Sequence, residues 1–171
     1  MRAPLLLTGP PAAGKSTTAR ALAASLPLAA VVDVDDVRHL VVAGHAAPWD
    51  GDRGRLQQDV GVDNACDLAR RFVAAGIAVV LADVVTARTA VRYRERLPGL
   101  LVVRLRLPLD EARRRARLRP VHLTEQELDD LHLADAKGAF PVDHVLDVGG
   151  LDPVQQVDAV RSLWSGEPPV G

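Results

Sequence analysis

Eight consecutive residues, Gly9-Pro10-Pro11-Ala12-Ala13-Gly14-Lys15-Ser16, followed by Thr17, restrict this chain more than any other stretch. The spacing is G-x-x-x-x-G-K-S, a loop that wraps an anion. Gly9 and Gly14 let the backbone turn and approach a phosphate closely, and the loop N–H groups and the first helical turn then point at it. Lys15 adds a point charge for β/γ oxygens, and the Ser16 hydroxyl is placed to ligate a divalent cation. Such a loop works only between a buried strand and a helix. The apolar run Leu5-Leu6-Leu7-Thr8 stands before it, and the helix-forming Ser16–Ala24 segment stands after it, ending before Pro27.

Strand and helix signals alternate through the rest of the chain. Apolar runs at Ala29–Val34, Ile77–Ala82, Leu100–Leu107 and Val142–Val148 read as four more strands, with arginines alternating from Arg104. Between them, helices are expected through Leu40–Ala43 with Asp35 or Asp36 as cap, over Arg55–Ala75 with Gly76 closing it, and around Ala87–Leu97. Further helices are expected over Leu109–Leu118 and behind the capping box Thr124-Glu125-Gln126-Glu127, the latter stopped by Phe140-Pro141. Asp152 caps a last helix with Pro153 at its first position, and Ser165–Gly171 reads as a frayed tail. Alternation of this kind builds a parallel α/β sheet covered on both faces, a three-layer sandwich. Ligands gather at the carboxyl ends of its strands.

Three carboxylate positions fall at those ends. In Asp33-Val34-Asp35-Asp36-Val37-Arg38, Asp35 is placed to orient or deprotonate a hydroxyl. Arg38 lies one helical turn on, suited to a polar or anionic substrate group, with Asp36 beside it. Asp83 follows a wholly apolar run and is a candidate to hold Mg²⁺ through water or to contact substrate. Trp49, in the loop Gly44–Asp52, is a candidate substrate wall. The cluster Arg113–Arg119 precedes a loop at Pro120–Leu123 and suits a lid over about 113–123. Arg113 and Arg117 share one helical face and are the pair chosen to neutralise phosphate charge. His122, His132 and His144 show no ligand spacing.

Composition excludes several classes. The 171 residues suit a single domain, 1–171, with a formal net charge of −1, which speaks against a dedicated nucleic-acid binder. One cysteine, Cys66, rules out an intrachain disulfide and a cysteine-rich metal site, and its setting suits a small buried hydrophobe. No stretch approaches ~18 consecutive apolar residues, and the faintly signal-like start is interrupted by the phosphate loop, so the cytoplasm is the expected location. The guanine-reading Asn-Lys-x-Asp is absent, which favours ATP.

With these residues in place the chain resembles the small P-loop kinases. The loop Gly9–Ser16, Asp35 and Asp83 are similar to those of chloramphenicol phosphotransferase. Asp35-Asp36-Val37-Arg38 resembles the Asp-Asp-x-Arg segment of polynucleotide kinase, where the first Asp is the acceptor base and the Arg holds substrate. Asp33-Val34-Asp35 looks like the Asp-x-Asp of shikimate kinase, but that family's Gly-rich stretch after the third strand is replaced here by Leu81-Ala82-Asp83-Val84-Val85. The resemblance implies a nucleoside-monophosphate-kinase-like P-loop NTPase with strand order 2-3-1-4-5 and a short arginine-rich lid. It also implies ATP and Mg²⁺ as cofactors and transfer to a small-molecule hydroxyl, with an antibiotic-type acceptor among the candidates. Nucleotide would be held by Gly9, Pro10, Pro11, Ala12, Ala13, Gly14, Lys15, Ser16 and Thr17. The rival readings are a polynucleotide 5′-hydroxyl kinase, making nucleic acid the weaker partner expectation, and a non-catalytic nucleotide-binding regulator. The expected state is a monomer or homodimer without membrane contact.

Overall fold

All four residues of the first strand, β1 (Leu5–Thr8), are buried, so cover is needed on both sides of the sheet at once. The computed structural model, which describes residues 2–118 and 124–166, supplies it. After β1 come α1 (Lys15–Ala24), β2 (Ala29–Asp33), α2 (Val34–Arg38), α3 (Gly51–Ala74), β3 (Ala78–Ala82) and α4 (Ala87–Arg96). Then follow β4 (Leu101–Arg106), α5 (Leu109–Leu118), α6 (Glu125–Lys137), β5 (His144–Asp147) and α7 (Pro153–Ser165). The five strands are all parallel in the order β2-β3-β1-β4-β5, the order expected.

Side chains along each strand alternate between two cores. Leu5 and Leu7 with Val80, Ala82, Val103 and Leu105 meet Ala19 and Leu22 of α1 and Val157, Val160 and Trp164 of α7. Leu6 with Val32, Val79, Leu81 and Val102 meets Val62, Ala65, Cys66 and Ala69 of α3 and Ala90 and Tyr93 of α4. On that second face Arg92 of α4 grips Asp63 of α3 with Nε and Nη2, each at 2.6 Å. The indole N–H of Trp164 donates to the carbonyl of Ala3 at 2.7 Å, fastening α7 to the segment before β1.

The sequence expectations are corrected in three places. The cap after β2 is Asp33, whose carboxylate accepts from Asp35 N–H, and the helix runs over Val34–Arg38, not through Ala43. Val34 must turn inward, being 1% exposed, and that fixes the start of the helix. Asp35 and Asp36 then fall in the first turn, where negative charge meets the positive end of the helix. The third helix begins at Gly51 instead of Arg55. Gly51 reads as a loop residue, and Gly54, in the first turn, must be glycine because a Cβ there would lie 2.0 Å from the carbonyl oxygen of Ala47. Ser165 belongs to α7, and Gly166 closes it in the left-handed conformation at φ 71°. The remainder of the expected tail, 167–171, and the lid residues 119–123 lie outside the described residues.

Candidate nucleotide and acceptor site

The chain leaves β1 into the phosphate loop through Gly9, at φ 137°, where a Cβ would lie 2.3 Å from the carbonyl oxygen of Leu105. Only glycine fits a strand exit that close to β4. Ala12 is left-handed at φ 64°, an uncommon conformation for a residue with a Cβ, and Gly14 at φ 85° opens α1. Lys15 folds back over the loop, its Nζ donating to the carbonyls of Gly9 at 2.8 Å and Pro10 at 2.9 Å. Burial lowers the Lys15 pKa, and the fields of Asp35, Asp83, Asp135 and Asp33 oppose that shift. Two other loop carbonyls are held from distant helices. His132 of α6 places Nε2 3.1 Å from the Pro11 oxygen, and Gln156 of α7 donates Nε2 to the Ala13 oxygen at 2.9 Å and to Thr18 Oγ1 at 2.8 Å. Burial lowers the His132 pKa, against the Pro11 carbonyl, which favours the charged ring. A carbonyl only accepts, so the ring's Nε2 carries the proton.

The carboxylates stand at the ends of the neighbouring strands. Asp35 forms an ion pair with Arg38, and its own carboxylate is about half exposed. The Arg38 stem crosses α3 at Gly61, where a Cβ would sit 2.5 Å from Arg38 Cγ, and its Nε is buried without a hydrogen-bond partner. Asp36 is exposed, 3.7 Å from Arg20, which also reaches Asp33. Asp83 is buried beside β1. Its Oδ1 accepts from Val84 N–H and its Oδ2 from the Tyr93 hydroxyl, both at 2.8 Å. Burial pushes its pKa from 3.8 up to about 6, with the Tyr93 hydrogen bond and the Arg38 charge pulling the other way. The helix after it is capped by Thr86, so Asp83 is not needed as a cap. Trp49 is exposed in the loop between α2 and α3. Gln57 anchors this loop, accepting from Ala46 N–H at 2.9 Å and donating to the Gly44 carbonyl at 2.7 Å.

The arginine cluster faces several ways. Arg113 turns outward to Asp129 on α6, with Nε to Oδ1 at 3.0 Å, and Arg117 is exposed. Arg115 instead turns toward the sheet, donating to Glu111 at 3.0 Å and to the Val148 carbonyl at 2.7 Å. At the far end of α6, Arg104 of β4 binds Asp135 and the Gly138 carbonyl. Helical phase made Arg113 and Arg117 a pair but could not say which face meets the body. Tyr93, His132 and Gln156 had no local signal, since each acts on a residue far along the chain or hidden in the core.

Among the described residues no group of three or more His, Cys, Asp or Glu side chains forms a metal cage. The donors at hand, the Ser16 hydroxyl and the Asp83 carboxylate, are hard oxygens. They suit Mg²⁺, which keeps water and substrate phosphates for most of its shell. Among the described residues no helix is long and apolar enough to cross a membrane.

A parallel sheet of this order with the phosphate loop after its central strand defines the P-loop kinase fold. The profile of an AAA domain family matches residues 5–132, three-quarters of the chain, and the chain belongs to that family. Among solved structures, a sugar kinase from a Janibacter species is similar at TM-score 0.69 and 19% identity, covering 99% of this chain and 97% of that one. A gluconokinase from Sinorhizobium meliloti reaches 0.68 at 19% identity, covering 96% and 91%. The tunicamycin resistance protein of Deinococcus radiodurans reaches 0.67 at 21% identity, covering 99% of each. No curated protein matches the chain.

Proposed function

We propose that the protein is an ATP-dependent kinase that moves the γ-phosphoryl group to a hydroxyl of a small molecule. One observation carries this reading. Asp83 N–H donates to the Leu7 carbonyl of β1 at 3.1 Å, and β2, which leads into Asp35, pairs with β3, which supports placing the loop cation Lys15 and the carboxylates for an acceptor around one site. Two proteins of similar fold, a sugar kinase and a gluconokinase, support a small-molecule acceptor.

In this reading the loop from Gly9 to Thr17 binds the nucleotide. Its amides and Lys15 hold the β- and γ-phosphates. Asp35 accepts the acceptor's proton as its oxygen attacks the γ-phosphorus and the bond to the β,γ-bridging oxygen breaks, leaving ADP. Arg38, Asp36 and Trp49 position the acceptor. Arg113 and Arg117 neutralise charge when the lid closes. Ser16 and Asp83 would hold Mg²⁺, which would offset phosphate charge. An ATP-consuming enzyme of this kind belongs in the cytoplasm.

Labelled ATP offered with sugars, antibiotics and an oligonucleotide bearing a free 5′-hydroxyl tests the reading. Transfer to a small molecule is expected. Lys15→Ala should abolish it and weaken nucleotide binding. Asp35→Ala should keep nucleotide binding while transfer falls ~10²–10⁴-fold. Full activity of Asp35→Ala would remove Asp35 as the base, and labelling of the oligonucleotide alone would replace the small-molecule reading.

A further inference from the structure

We propose that His132 and Gln156 are positioning residues that hold the phosphate loop in its anion-receiving shape without touching the anion, an inference that rests on reading Gly9–Ser16 as the nucleotide site. The argument is peptide geometry. The described backbone has no cis peptide bond, so each C=O and the N–H across the same peptide point in opposite directions. His132 holds the Pro11 carbonyl on the outside of the loop, which sends the Ala12 N–H the other way. Gln156 does the same to the Ala13 carbonyl and so aims the Gly14 N–H. Both of those residues are left-handed, at φ 64° and 85°, where alternating backbone forms a concave nest of amides.

The two side chains are suited to the task. His132 is 7% exposed and Gln156 4%, so bulk water does not readily take over their donor role. Gln156 is also held by Thr18, one turn into α1, so loop and helix start are gauged by the same amide. A Cβ at Gly14 would stand 3.0 Å from Gln156 Nε2, so this amide closes the outer side of the turn. If either donor is lost, a carbonyl loses its partner, and turning that peptide over would point the oxygen at the phosphate site.

The test is calorimetric titration of the whole chain with ADP and Mg²⁺, beside thermal unfolding without ligand and kinetic constants for transfer. His132→Leu and Gln156→Met remove the donors with little change in volume. Each is expected to weaken ADP binding about five- to tenfold, the size of one hydrogen bond with a carbonyl left unsatisfied. The KM for ATP should rise and the KM for the acceptor stay put. His132→Gln, which restores a donor at similar reach, should return affinity to within about twofold of wild type on the same scale. ADP affinity unchanged in both donor-less variants overturns the proposal, as does a loss that His132→Gln fails to relieve. A wild-type protein that binds no ADP would instead sink the nucleotide reading itself.

Discussion

Asp83→Asn is expected to make the unliganded protein more stable at pH 8. Burial raises the Asp83 pKa from 3.8 to about 6, and the side chain is 4% exposed, so the shift is little screened by solvent. Between those pH values the native state binds more protons than the unfolded chain. Stability therefore falls as pH rises through this window, and the full cost is present above it. A shift of roughly two units corresponds to about 3 kcal/mol. Asparagine removes the charge but keeps only one oxygen for the two donors, Val84 N–H and Tyr93 O–H. Re-pairing the Tyr93 hydroxyl costs about 1 kcal/mol, so the net gain at pH 8 is about 2 kcal/mol. Urea unfolding of both proteins at pH 5 and pH 8, without nucleotide or metal, measures it. The stability of the variant relative to wild type should grow by about 1.4 kcal/mol between the two conditions. A difference that does not change with pH would refute the placement of a buried, ionised carboxylate at the end of β3.

Gly61→Ala sets two effects against each other. Alanine raises helix propensity by about 1 kcal/mol, but its Cβ would press on Arg38 Cγ at 2.5 Å and Cδ at 3.2 Å. Overpacking of this kind costs ~1–3 kcal/mol. Thermal unfolding should shift down slightly and transfer should fall about tenfold while ADP affinity holds; wild-type activity with a raised Tm would show that Arg38 moves aside freely. Cys66 is fully buried and burial pushes its thiol up to about 11. An aromatic disulfide reagent at pH 8 should leave the native protein unlabelled and react with the single thiol in urea. Prompt labelling of native protein would mean that the α3 side of the sheet opens readily.

Much of the frame was legible because its signals are local. Leu5–Thr8 followed by the glycine-bounded loop and a helix former is one contiguous pattern, the capping box at Thr124 is read off four residues, and the Asp152 cap is read with the Pro153 that follows it. The alternation of strand and helix then leaves few arrangements. What failed to show was decided by contacts between distant segments. The sequence offers Asp35 or Asp36 as the cap after β2, whereas Asp33 caps the helix and Val34, buried, is its first residue. The arginines of α5 differ only in phase, and it takes β5 and the Val148 carbonyl to single out Arg115 as the one facing the body. Tyr93 looks like any core aromatic until Asp83 is placed beneath its hydroxyl.

The bond between Gln156 and the Ala13 carbonyl spans 143 residues, and that from Trp164 to Ala3 spans 161. Synthesis proceeds at about 5–20 residues per second, so the phosphate loop leaves the ribosome roughly 7–29 seconds before the helix whose Gln156 bonds it. During that interval Lys15 and the loop amides are present in sequence without α7 to complete the core around β1. The loop is thus translated well before α7, and in a nascent chain the Ala13 carbonyl has no Gln156 donor until α7 docks.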